Sequence, residues 1–337
     1  MTPNEDDVVL ASAGPAFGTG GLYQEDPRDW PIDQLYAAQG LAAAVAFPSS
    51  WKAGTMPPVL NQGTTPECVA FSGSAMKARQ DRIDEGQFFN FDEARFFKEI
   101  GGGPGGAYIS SALSRLKAYG YPVVGVAAES HKIAAYYAVP KTIDDLKSAL
   151  MTFGPLWCIG QWWKEWFHPG AGGVLPKPVT KSSGHATLLY GWNATGLIFR
   201  NSWGATWGAA GDFVLPWAYV FDNSGSGHPG YLWAAYKTTD VVEWPAKTMA
   251  CGANVRATAG SGGTFGAKLG TIAAGAGIRV SGSVTGATWS KASTCNPAVA
   301  NRGTKWYRVR VIGGRAVGLI YPGHTSVYIY AGAVKGG

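Results

Sequence analysis

The sequence predicts an α+β chain, with a mixed helix-and-strand domain over residues 46–245 and a small all-β barrel over 246–337. Three observations predict it. Helical and strand patterns alternate from residue 46 to residue 221. From Cys251 onward, short β runs are separated by glycines. Charge changes sign at the same place. All 22 acidic residues lie at or before Glu243, against 17 Lys and Arg in residues 1–245, whereas 246–337 carry 11 Lys and Arg and no carboxylate. Glycine (48) and proline (20) make up about a fifth of the 337 residues, well above their usual share, which favours turns and short strands over a helical bundle.

Residues 1–45 form an N-terminal extension with acidic, Gly-rich and Ala-rich pieces and no strong period. The chain opens Met1-Thr2-Pro3-Asn4-Glu5-Asp6-Asp7, acidic where a secretory signal needs a basic start, so no ordinary signal peptide is expected. The longest apolar runs, such as Gly40 to Phe47, are too short to span a bilayer. The turn-rich run Asn61 to Glu67 then leads into Cys68-Val69-Ala70-Phe71, whose apolar spacing (Phe71, Ala75, Ala78) is helical. Pro66 is a helix-start signal, so Cys68 is expected at a helix N-terminus. There the unpaired N–H groups and the positive dipole end favour a thiolate. Asp92-Glu93 and Asp144-Asp145 read as helix-start charges. Leu156-Trp157-Cys158-Ile159 reads as a core strand, with Cys158 a buried thiol. Trp162-Trp163-Lys164-Glu165-Trp166-Phe167 has three readings: a substrate platform, an assembly surface, or packing of an inserted loop.

A thiolate nucleophile needs a base and an orienting group. Gly184 to Tyr190 reads as a strand opening with His185, and Leu197 to Asn201 as a strand ending with Asn201. The turn signal Asn193-Ala194-Thr195-Gly196 lies between them. A hairpin there returns Asn201 to the level of His185, so the amide oxygen holds one imidazole nitrogen and leaves the other facing Cys68. Residues 222–230 read as a loop, and Trp233 to Val242 as a closing strand. None of the four cysteines forms a CxxC pair, and neither a metal nor a cofactor is expected. The glycine run Gly101 to Gly106 lacks a following Gly-Lys-Ser/Thr, which rejects a phosphate loop.

Gln62, Cys68 six residues on, Ala70-Phe71-Ser72, then His185-Ala186 and Asn201-Ser202-Trp203-Gly204 resemble the papain (C1-type) family of cysteine peptidases. Gly105-Gly106 with Ala112-Leu113, Leu146 to Ile159, and Trp207-Gly208 before Gly211 match as well. The resemblance covers about 46–242. It implies a two-lobed fold, one lobe helical and one β-barrel-like. It implies that Cys68 attacks a peptide carbonyl, that His185 pairs with it and protonates the leaving amine, and that Asn201 orients His185 beneath Trp203. Gln62 and the Cys68 N–H would hold the oxyanion, Gly105 and Gly106 would meet an extended substrate, and Ala186 would line a substrate pocket. The chain departs from the C-G-[SA]-C-[WY] pattern. Thr65 stands where a disulfide-bonded cysteine is usual, Pro66 and Glu67 alter the loop beside the oxyanion hole, and Val69 replaces an aromatic.

Asn254-Val255-Arg256, Gly270-Thr271-Ile272, Gly277 to Val280 and Trp306 to Val309 are similar to a bacterial SH3-like domain. The resemblance implies a targeting module on cell-wall peptide or polymer. Its net charge of +11 adds attraction to polyanions, screened by salt. Cys251 and Cys295 are a candidate disulfide. Three functions stay open: a cysteine peptidase acting on peptides or proteins, a hydrolase of cell-wall peptide stems, and a non-enzymatic scaffold in an assembly such as a virion. A released, extracellular or virion-associated site is favoured over a resident cytoplasmic one. Only about 45 residues precede the resemblance, short for an inhibitory pro-segment. That leader has two readings, an inhibitor lying in the cleft or an arm packed elsewhere.

Overall fold

A computed structural model describes residues 17–43, 46–84, 88–126, 131–241, 246–261, 264–290, 302–312, 315–321, 324 and 326–334. The chain divides into two compact units, Met1–Arg82 with Gln87–Val241, and Ile83–Gly86 with Val242–Gly337.

The first unit runs β1 (Gly21–Leu22), α1 (Ile32–Ala38), β2 (Trp51–Lys52), α2 (Cys68–Asp84), α3 (Glu93–Glu99), β3 (Ala107–Tyr108), α4 (Ile109–Ala118), β4 (Ile133–Ala138), α5 (Ile143–Phe153), β5 (Leu156–Trp163), β6 (Lys181–Trp192), β7 (Gly196–Arg200), β8 (Asp212–Pro216) and β9 (Leu232–Asp240). Asp92 caps α3 by accepting the Arg95 N–H, and Thr142 caps α5 by accepting that of Asp145. The main sheet is ordered β4-β9-β5-β6-β7-β8, with β2 on β6. β9 therefore lies inside the sheet, between β4 and β5. β5 is buried along its whole length, Gln161 included, in line with the apolar run Leu156–Ile159 that opens it. Alternate residues serve opposite faces. Trp157 and Ile159 join the core under α2, α3 and α4, whereas Leu156, Cys158 and Trp162 join the core under α1 and α5. These two cores are the physical content of the two expected lobes.

The second unit contains β10 (Ala246–Thr248), β11 (Ala253–Arg256), β12 (Lys268–Ile272), β13 (Gly277–Ser290), β14 (Arg302–Ile312), β15 (Arg315–Ala316), α6 (Val317–Ile320) and β16 (Val327–Tyr330). Its sheet is ordered β10-β13-β14-β16-β11-β12, with β15 on β14. Trp306, Val309, Val327 and Ile329 lie in its core. Neither sheet closes into a barrel, which corrects the expectation for both units. In each, the two end strands have no pairing to each other among the described residues. For the first unit that expectation came with the family resemblance; for the second it rested on glycine spacing, which reports how many strands form, not whether tilt and stagger bring the last onto the first.

Candidate active site

α2 begins at Cys68, as the turn-then-helix pattern predicts. The Ser72 hydroxyl donates to the Cys68 carbonyl (2.6 Å) and accepts from Trp157 Nε1 (2.7 Å), which ties the first turn of α2 to the sheet. β6 and β7 form the expected hairpin. Their register pairs Leu188 with Arg200 and Leu189 with Phe199, with a bulge between Leu189 and Gly191. The register therefore sets Asn201 level with Thr187 rather than His185, a step that the asparagine side chain spans. Asn201 Oδ1 lies 2.8 Å from His185 Nε2 and also accepts the Ser202 N–H. Trp203 stacks on the imidazole at 4.6 Å, and Trp162 meets it edge-on at 4.8 Å. Trp162, Trp163 and Trp166 are fully buried core residues, so the platform and assembly-surface readings of that run fall.

His185 and Ala186 are consecutive on β6 and face opposite ways. Ala186 joins Cys68 in the core under α2, while His185 turns toward Trp162 and Trp203. His185 Nδ1, the nitrogen expected to face the thiol, is buried and makes no hydrogen bond. Cys68 and His185 are both 0% exposed. Burial pushes the Cys68 thiol up to about 12, with the N–H groups of Ala186, Val69, Cys68 and Gly20 opposing it. Burial likewise pulls His185 down to about 4, against the Asn201 hydrogen bond. The expected thiolate and imidazolium are therefore both neutral here. Loss of water outweighs the helix N-terminus.

The cover over this pair is the N-terminal extension itself. Phe17 stacks on Trp203 at 5.0 Å. The Gly18 N–H donates to Gly63 O (2.9 Å), and its carbonyl accepts from Trp203 Nε1 (2.9 Å). Thr19 bonds the Ser183 hydroxyl. The Gly20 N–H donates to Gly184 O (2.9 Å), and its carbonyl accepts the Ala107 N–H (3.0 Å). β1 then runs parallel to β3, pairing Gly21 with Ala107. Beyond it opens a groove of about 370 Å³ walled by Leu22, Tyr23, Tyr108, Gln161 and Trp233.

Other expected site residues are placed as follows. Gln62 is buried and doubly held. It accepts the Ser202 hydroxyl at Oε1 (2.6 Å) and donates from Nε2 to Thr65 O (2.7 Å). One further Nε2 hydrogen remains. Gly106 bonds Gly103 in both directions, so the strap's hydrogen bond on this rim goes to Ala107 instead. Gly105 is exposed and touches nothing that a side chain there would meet. Cys251 is disulfide-bonded, and Cys295 lies outside the described residues. Sequence reasoning missed the site roles of Ala107 and Ser202; of its two readings of the leader, residues Phe17 to Leu22 follow the one that lies in the cleft. The strap's one signal is the small-residue run Gly18-Thr19-Gly20-Gly21 between Phe17 and Leu22. Among the described residues, no group of three or more His, Cys, Asp or Glu is placed to hold a metal.

Residues 123–216 match the family model of papain family cysteine proteases, a span that includes His185 and Asn201 but neither Gln62 nor Cys68. The matched stretch resembles the papain family of cysteine proteases, and the first unit has a papain-like α+β fold. Solved structures with this papain-like α+β fold include xylellain, a cysteine protease from Xylella fastidiosa (20% identity, 67% of this chain and 97% of that one, TM-score 0.54). Procathepsin L2 from Tenebrio molitor (23%, 67% and 79%, 0.54) and procathepsin B from Trypanosoma congolense (16%, 66% and 86%, 0.52) share it. No curated protein sequence matches the chain. Among the described residues, no helix is long and apolar enough to cross a membrane.

Proposed function

We propose that the domain hydrolyses peptide bonds through an acyl-enzyme on Cys68. The Cys68 proton passes to His185 Nδ1 as the sulfur bonds the carbonyl carbon. His185 returns that proton to the leaving nitrogen as the C–N bond breaks. Water then attacks the thioester, with His185 as base, releasing the acid and restoring the thiol. Asn201 holds Nε2, so Nδ1 keeps the orientation this step needs. The free Gln62 N–H and the Cys68 backbone N–H stabilise the oxyanion. The observation that carries the reading is the His185–Asn201 bond, sealed under Trp203, with Nδ1 left without a partner. The strap must lift before substrate enters, and the returning water lets the thiolate and imidazolium form.

Substituting Cys68→Ala in the full-length chain tests this on a denatured protein and on cell-wall peptide stems. Loss of about a thousandfold or more in hydrolysis is expected; full retention overturns the reading. Which of the two substrates is cut separates a general peptidase from a wall hydrolase. The complete burial of Cys68 and His185 favours a second reading, an inert scaffold in a larger assembly. Selective alkylation of Cys68 at neutral pH, once the strap is opened, counts against it.

The second unit serves in this reading as an SH3-like targeting module for an anionic polymer, including that of a cell wall. The 11 Lys and Arg of residues 246–337, with no Asp or Glu among them, support that role. The Cys251 disulfide supports an oxidising location outside the cytosol.

A further inference from the structure

We infer that the cleft over Cys68 is a glycine-selective slot, and that its substrates are extended chains with glycine at alternate positions, Gly-Xaa-Gly. This rests on the peptidase reading above and names the substrate class of that site.

The strap measures the slot. A Cβ built on Gly18 would lie 1.8 Å from Thr65 O, and one on Gly20 would lie 2.8 Å from Pro66 Cβ and 2.9 Å from Gly106 Cα. The opposite rim is equally tight, since a Cβ on Gly106 would meet Gly20 O at 1.6 Å. These walls are backbone or proline ring, so they do not swing aside as a flexible side chain would. Gly21 has somewhat more room, 3.1 Å from the His185 backbone. Thr19, between the two tight positions, is half-exposed and reaches Ser183 at the surface. Residues 18 and 20 thus face the walls while 19 faces out, the alternation of an extended chain.

One wall comes from a departure already visible in the sequence. Pro66 stands where the C-G-[SA]-C-[WY] pattern has glycine, and its ring narrows the cleft beside Gly20. The gap between the Thr65–Pro66 and Gly106–Ala107 rims belongs to the walls.

Gly20 has φ +149°, which itself favours glycine, so Gly18 is the cleaner probe. Full-length Gly18→Ala is expected to alkylate at Cys68 about tenfold faster than the unaltered chain, or more, because the strap no longer seats. Full-length Gly20→Ala is a second way to open the cleft. In either opened chain, the peptide Phe-Gly-Thr-Gly-Gly-Leu should protect Cys68 at a concentration about tenfold lower than Phe-Ala-Thr-Gly-Gly-Leu. Equal protection overturns the slot. Hydrolysis of Gly-Xaa-Gly peptides should exceed that of Ala-Xaa-Ala peptides by a similar factor. Equal hydrolysis overturns the slot and leaves the peptidase reading standing. No hydrolysis of any peptide by a chain whose Cys68 alkylates overturns both.

Discussion

A thiol at a helix N-terminus is ordinarily a better acid than a free one, yet Cys68 is a weaker one. The dipole acts within one turn and is worth about a kcal/mol or less on an exposed group. Removing water acts on the whole charge. His185 obeys the same rule with the opposite sign. It titrates at about 4 instead of the ordinary 6.5, so the folded site loses stability progressively as pH falls from 6.5 toward 4. Cys68 titrates at about 12 instead of the ordinary 9.0, so the folded site also loses stability as pH rises above 9. The buried site, of which the strap is the cover, is therefore firmest between those limits. Exchange protection of the Gly18 and Gly20 amides, corrected for intrinsic rates, is expected to fall about tenfold or more between pH 7 and pH 5. Constant protection across that range would show that His185 titrates without moving the strap.

At the scale of elements, α2 carries the thiol and is held in place by polar groups on its buried side. Lys77 is buried and bonds Asp81 (2.6 Å) on its own helix and Asp240 (2.5 Å) at the end of β9. Asp81 also meets His131 Nδ1 at 2.8 Å. Lys77→Met leaves two buried carboxylates without their ammonium partner, so a loss of about 3 to 5 kcal/mol is expected. The midpoint of urea unfolding measures it. Ser72→Ala strands the buried Trp157 indole N–H and should cost about 1 to 3 kcal/mol by the same measurement. A change in either variant below half a kcal/mol would mean that water replaces the lost partner.

At the scale of the whole molecule, two units of different charge share one chain. The second unit's attraction to a polyanion is electrostatic, so it should weaken steeply with salt. Retention of the full chain on sulfated polysaccharide beads is expected at about 0.05 M salt and release before about 1 M, where screening shortens to roughly 3 Å. Retention that ignores salt would replace the charge argument with a specific pocket.

Much of the first unit was legible because its signals are local. Pro66 and the spacing after Cys68 announce a helix start, Asn193 to Gly196 announces a hairpin turn, and the unbroken run at Leu156 announces a buried strand. Each depends on residues a few positions apart, where sterics and periodicity act directly. The register that offsets Asn201 by two residues was not legible, because the turn centres between Ala194 and Thr195 rather than on Asn193, and the bulge that takes one residue back depends on how neighbouring strands twist together. Nor was closure of either sheet. Residue types alone named sulfur, imidazole and amide. Only the tertiary structure decided their protonation, because that depends on water, and water is excluded by Phe17 to Leu22, a segment some 50 residues from Cys68 and over 160 from His185.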